Sequence, residues 1–211
     1  MKHSLTKSSL YFEYVHLYNN AMKKSVFIYA AFALLLGFSA CSTSGTPEPK
    51  TGDTWVYHYV DYNEDGSIAA EQNLTFTATE FIQNDVYWAF LSAGSGFDIG
   101  YFRMDDNGLH QLSNGIDQLK LPYPGAVGDS AITYDSNQDM LWFIIRDNAA
   151  SINTPAGTFT AYYYEGYDDN SLEDKLWFTP THWFLRHEEY DQNLSGNYID
   201  YMFEIVSYTE G

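Results

Sequence analysis

Beyond residue 50, apolar and polar residues alternate at nearly every second position, which is the period of a β-strand buried on one face. The alternation is strict in Leu74-Thr75-Phe76-Thr77-Ala78-Thr79. Thr54 to Tyr62 places Trp55, Tyr57 and Tyr59 on one face, and Tyr198 to Tyr208 does the same with Ile199, Tyr201, Phe203 and Ile205. Further strand-like runs are Val86 to Leu91, Gly100 to Met104, Ala131 to Tyr134, Met140 to Arg146, Thr158 to Glu165, Lys175 to Phe178 and His182 to Tyr190. Turn residues that accept left-handed backbone separate them, as in Glu64-Asp65-Gly66, Asp106-Asn107-Gly108 and Asp168-Asp169-Asn170. No segment carries a capped helical period; only Leu112 to Pro124 leaves room for a helical turn. About ten short strands without long helices predict an all-β antiparallel domain, a single curved sheet or open barrel, with a sandwich as the other arrangement.

The first 40 residues follow a different pattern. Met22-Lys23-Lys24 precedes an uncharged apolar run from Val26 to Phe38, and Ser39-Ala40-Cys41 closes it. A basic start, a short apolar run and small residues make a secretory signal peptide; a membrane span needs about 20 apolar residues. Phe38 is too large for the outer position of an ordinary signal-peptidase site. Ser39-Ala40-Cys41 instead resembles the lipobox of bacterial lipoproteins, although Phe38 stands where that pattern usually has Leu. The resemblance implies cleavage before Cys41, the one cysteine of the chain, and a covalent diacylglycerol with further acylation there. Under the sorting rule of enteric bacteria, Ser42 then implies the outer membrane. The expected organisation is an over-extended start at 1–21, a signal peptide at 22–40, a lipidated tether at 41–50 and a β domain at 51–211.

Residues 1 to 40 hold four lysines and one glutamate; without them, 6 Lys and Arg stand against 27 Asp and Glu, a net charge of −21. Such a surface repels nucleic acid and anionic lipid, so nucleic-acid binding is excluded and membrane contact is assigned to the lipid anchor.

Residues 61 to 72, DYNEDGSIAAEQ, match part of a calcium loop, with Asp61, Asn63 and Asp65 at alternate positions and Gly66 next. Strand patterns flank the segment where an EF-hand needs helices. Its twelfth residue is Gln72 rather than a bidentate Glu, with Glu71 one place early. The preferred reading is a hairpin turned at Asp65-Gly66. Calcium held by Asp61, Asn63, Asp65 and Glu71 is the alternative.

Other chemistry leaves little trace. His182 and His187, five apart, face opposite sides of a regular strand, and no paired zinc spacing occurs. There is no nucleophile elbow and no phosphate or dinucleotide loop. Chance separations among many carboxylates make acid pairs uninformative. No enzyme is expected. Aromatic residues are the strongest compositional signal, and Trp88, Trp142, Tyr163, Trp177, Trp183 and Tyr201 are the candidate ligand contacts. Tyr162-Tyr163-Tyr164 must point alternately inward and outward. Gly52-Asp53-Thr54 and Gly128-Asp129-Ser130 each lead into a strand; the preferred reading is chance recurrence of a strand-entry turn, with two related halves as the alternative.

Thr154-Pro155-Ala156-Gly157-Thr158-Phe159 reads physically as a tight turn into a strand. It also resembles a turn of exported bacterial lipoproteins, together with the Gly-Asp-Thr-Trp start at Gly52 and the segments Leu176 to Pro180 and Trp183 to Arg186. The resemblance implies an open barrel similar to those of the lipoprotein-localisation factors, which hold acyl chains. The expectation is therefore a lipid-anchored, non-enzymatic envelope protein binding an apolar ligand or acyl chain. A glycan-binding surface module and a structural envelope subunit are the alternatives.

Overall fold

The computed structural model describes residues 49–83, 85–92, 98–134, 139–193 and 196–211. The chain divides into two units, Met1–Ser42 and Thr43–Gly211, and every described residue belongs to the second. The signal peptide, the Cys41 anchor and most of the tether lie outside the described residues.

Twelve strands follow in chain order: β1 Thr54–Tyr62, β2 Ile68–Gln83, β3 Asp85–Ser92, β4 Asp98–Asp105, β5 Gly108–Ser113, β6 Ile116–Pro122, β7 Ser130–Tyr134, β8 Met140–Thr154, β9 Gly157–Asp168, β10 Ser171–Thr179, β11 Trp183–Asn193 and β12 Gly196–Thr209. They form one antiparallel sheet in the order β6-β5-β4-β3-β2-β1-β12-β11-β10-β9-β8-β7. The first and last strands pair in its centre, and its two edges, β6 and β7, are consecutive in sequence and adjacent in space. The sheet is therefore nearly closed into a barrel. Its one seam is bridged by Gln118 on β6, which accepts hydrogen bonds from the Thr133 hydroxyl and the Tyr134 amide on β7.

The alternation read from the sequence explains what fills the barrel. Trp55 faces Phe76 across β1 and β2, Tyr57 faces Leu74, and Tyr57 also faces Ile205 on β12. With Phe102, Leu109, Leu121, Phe143, Ile145, Tyr164, Leu176 and Phe178 these side chains form one continuous interior. Burying each large apolar side chain contributes about 1.5–3 kcal/mol. Two buried phenols find carbonyls: Tyr57 donates to Phe184 O at 2.9 Å and Tyr164 to Pro122 O at 2.8 Å. Charged residues such as Arg103, Arg146, Lys175 and Glu165 take the outward positions.

The expected helical turn within Leu112 to Pro124 is not formed. The segment is a hairpin joining β5 to β6, and these are the two strands that the pattern of ten omitted. Asn114 at φ 50° and Gly115 at φ 75° make a two-residue turn whose twist matches its flanking strands. Asp169 and Asn170, at φ 43° and 74°, do the same between β9 and β10. Thr154 pairs with Gly157 around Pro155-Ala156, so TPAGTF is a tight hairpin as well.

The repeated Gly-Asp motif makes the same hydrogen bonds in both places. Asp53 accepts from the Lys50 amide, and Asp129 from the Ala126 amide, both at 2.8 Å. Gly52 N donates to Ala78 O, and Gly128 N to Ile145 O. Ala78 N and Ile145 N return bonds to Asp53 O and Asp129 O. Gly52 and Gly128 share a left-handed conformation, φ 100° and 96°. Each motif opens a meander of six strands.

Candidate ligand cavity inside the barrel

One end of the barrel interior is hollow. The cavity measures about 530 Å³, and its floor is aromatic and aliphatic: Phe76, Phe102, Leu176 and Phe184 are all buried. The rest of the lining is largely charged, with exposed Asp139, half-buried Asp168, Glu173 and Glu189 and buried Asp174 against Lys120 and His187.

Sheet register places the central groups. His187 and Glu189 are two apart on β11, so both point inward. Asp174 on β10 and Tyr201 on β12 lie directly opposite Glu189 on its two sides. Leu176 and Phe203 flank His187 in the same way. The result is a three-strand grid with one polar row and one mainly apolar row. Gly166 on β9 makes room for it: a Cβ there would lie 2.9 Å from the Asp174 Cβ and 2.7 Å from the Phe143 ring.

Within the grid, His187 Nε2 lies 2.6 Å from Asp174 Oδ1, and the Tyr201 hydroxyl donates to Glu189. The His187 ring stacks on Phe203 at 6.3 Å and meets Tyr201 edge-on at 5.6 Å. Ligand atoms of Asp174, His187 and Glu189 fall within 4.8 Å of one another, a spacing a metal ion could use. Burial raises the pKa of Glu189; the Tyr201 hydrogen bond opposes this, and the charge of Asp174 adds to it. Glu173 is raised as well, chiefly by burial. Lys120 is pushed down by burial, while Asp174 and Glu189 pull it back up. Its ammonium donates to Gln111 at 3.2 Å and lies 5.3 Å from the Phe143 ring centre.

Of the six aromatic candidates, only Tyr201 lines this cavity. Trp183 is buried in the core at 1% exposure, and Trp88 packs half-buried against that core. Trp142 stands on the outer face, 42% exposed, opposite Ile132. Tyr163 and Trp177 also face outward, stacked at 4.8 Å and 20°. On the other side of Trp177, the Arg186 guanidinium sits 5.8 Å from its ring.

The four calcium candidates do not converge. Asp61 pairs with Ala70 and Glu71 with Val60, so the two carboxylates occupy opposite faces of the sheet. Asp65 accepts from the Ser67 amide and hydroxyl, and Asn63 donates to Ser67 Oγ at 3.0 Å. Glu71 lies 2.8 Å from His58 Nε2. Asn63 and Asp65 thus hold a hairpin turn.

Sequence reasoning missed Asp174, His187, Glu189 and Lys120. Pairing His187 with His182 hid the useful spacing, which is His187-x-Glu189 on one face of a strand. Asp174 joins them only through the β10–β11 register, which residue spacing does not reveal. No family model, no curated protein and no solved structure matches the chain.

Proposed function

We propose that this chain is a lipid-anchored, non-enzymatic protein of the bacterial envelope whose barrel holds a small ligand in its open end. The observation that carries the reading is the 530 Å³ cavity with a buried aromatic floor and a polar rim. Its volume lies in the range of small-molecule sites, which are apolar pockets with a few convergent polar groups. A barrel fold by itself fixes no function; the cavity and its lining do.

The outward charges support the anchor. A barrel that crosses a membrane turns an apolar band outward and a polar lumen inward. Here aromatic and aliphatic residues fill the interior while Arg103, Arg146, Lys175 and Glu165 face out. Contact with the bilayer then falls to acylated Cys41. The glycan alternative would use outward rings; Trp177 is flanked by Tyr163 and Arg186, which leaves the exposed Trp142 as its candidate.

Native mass spectrometry of the protein extracted from its own envelope tests the reading. A stoichiometric small molecule retained on the acylated chain is expected. Protein that comes off clean and shifts on a glycan array would overturn it.

A further inference from the structure

Resting on the reading of the cavity as a ligand site, we infer that its occupant carries a positively charged nitrogen on an apolar body. Five carboxylates line the cavity against one lysine and one histidine. Tyr201 bonded to Glu189 satisfies hydrogen bonding but leaves the negative charge in place. A ligand bearing a carboxylate, such as a free fatty acid, would bring a further like charge into a partly desolvated site. Like-charge contact of this kind costs several kcal/mol.

The floor presents the rings of Phe76, Phe102 and Phe184, and Phe203 and Tyr201 rise along one wall. An organic ammonium gains from such faces by cation–π attraction while its apolar part covers them. A bare divalent ion uses neither the rings nor most of the 530 Å³. It would also have to part His187 Nε2 and Asp174 Oδ1, now 2.6 Å apart, to place itself at the usual ~2.0–2.2 Å from each. Lys120 does not fill the role of the missing cation. It lies on β6, donates to Gln111 on β5, sits over Phe143 on β8, and is already attracted by Asp174 and Glu189, so it offsets only one of the five carboxylates.

The test compares three probes with one body and different heads: phenethylammonium, hydrocinnamate and phenethyl alcohol. Calorimetric titration uses the full lipidated protein in nanodiscs of uncharged lipid, with empty nanodiscs as the blank and manganese chloride as a fourth titrant. Phenethylammonium is expected to bind on the order of tenfold or more tightly than hydrocinnamate. Glu189→Gln, which keeps an acceptor for Tyr201, is expected to weaken the ammonium by roughly tenfold and leave the alcohol unchanged. Asp168→Asn at the rim provides a second variant with the same expected pattern. Hydrocinnamate binding as tightly as the ammonium would overturn the inference while sparing the cavity reading. So would manganese binding where the ammonium does not. Failure of all three organic probes, with no ligand retained from the envelope, would remove the cavity reading itself.

Discussion

Gln118 on β6 accepts hydrogen bonds from the Thr133 hydroxyl at 3.0 Å and the Tyr134 amide at 2.7 Å, and both cross the seam between the sheet edges. No backbone ladder joins these strands among the described residues. Thr133 is 2% exposed, so losing its acceptor strands a buried hydroxyl. Gln118→Ala is predicted to cost about 1–3 kcal/mol in urea unfolding. Amide exchange at Tyr134 should accelerate with it. An unchanged midpoint and unchanged exchange would mean that β6 and β7 are held together by other contacts.

Asp53 and Asp129 occupy equivalent turns but differ in burial. Asp53 is 2% exposed and accepts from the Lys50 amide, the Gly211 amide and the Tyr208 hydroxyl. Asp129 is exposed and takes the single bond from the Ala126 amide. Asp53→Ala should therefore cost about 2–4 kcal/mol and Asp129→Ala about 0.5–1.5 kcal/mol. Equal losses would contradict the part assigned to burial.

How much of this was legible in the sequence depended on the range of the interaction concerned. Strand alternation is local, and Trp55, Tyr57 and Phe76 lie inside as their period predicts. Turn chemistry is also local, yet Asn114-Gly115 does not by itself reveal a hairpin. The residues after it, Ile116 to Pro122, alternate only weakly, and their outer positions carry Asp117 and Leu119. The cavity was not legible, because its groups come from β2, β4, β6 and β8 to β12 and meet through register and closure. Aromatic content pointed to Trp177 and Trp142, but composition cannot tell an outward ring from an inward one.

The acidity of the grid gives a pH signature. Glu189 binds its proton more tightly in the folded state than at the ordinary 4.5, chiefly through burial. Its ionised form therefore costs stability above the raised pKa, and the cost disappears as pH falls through that pKa towards 4.5. Glu189→Gln should melt higher than wild type at about pH 7, with the gap closing below about pH 4. A gap that widened on acidification would reverse the assigned sign.

Gly166 is predicted to be intolerant of even one methyl group. Gly166→Ala places a Cβ 2.9 Å from that of Asp174, so either Asp174 or Phe143 must move. A loss of about 1–3 kcal/mol is expected by thermal or urea melting. His187, bonded to Asp174, should show shifted imidazole resonances. A variant as stable as wild type, with unmoved His187 signals, would mean that β9 and β10 separate at no cost.

Cys41→Ser tests the anchor separately from the barrel. Without the thiol no diacylglycerol can be attached, and the outward charges of the barrel favour water over the bilayer. Because Phe38 also blocks ordinary cleavage, the variant is placed behind a leader that the ordinary signal peptidase cuts; it is then expected in the soluble fraction after cell lysis, with its melting temperature unchanged. Retention in the washed membrane pellet would assign the membrane contact to another part of the chain.

The most direct measurement is a crystal structure of the protein prepared from its own envelope without a delipidating step. Electron density for a small molecule is predicted inside the barrel, its apolar part on Phe102 and Phe184 and its charged end within hydrogen-bond distance of Glu189 or Asp174. A cavity closed by side chains, or a ligand lying instead on the outer Tyr163–Trp177 stack, would contradict the account.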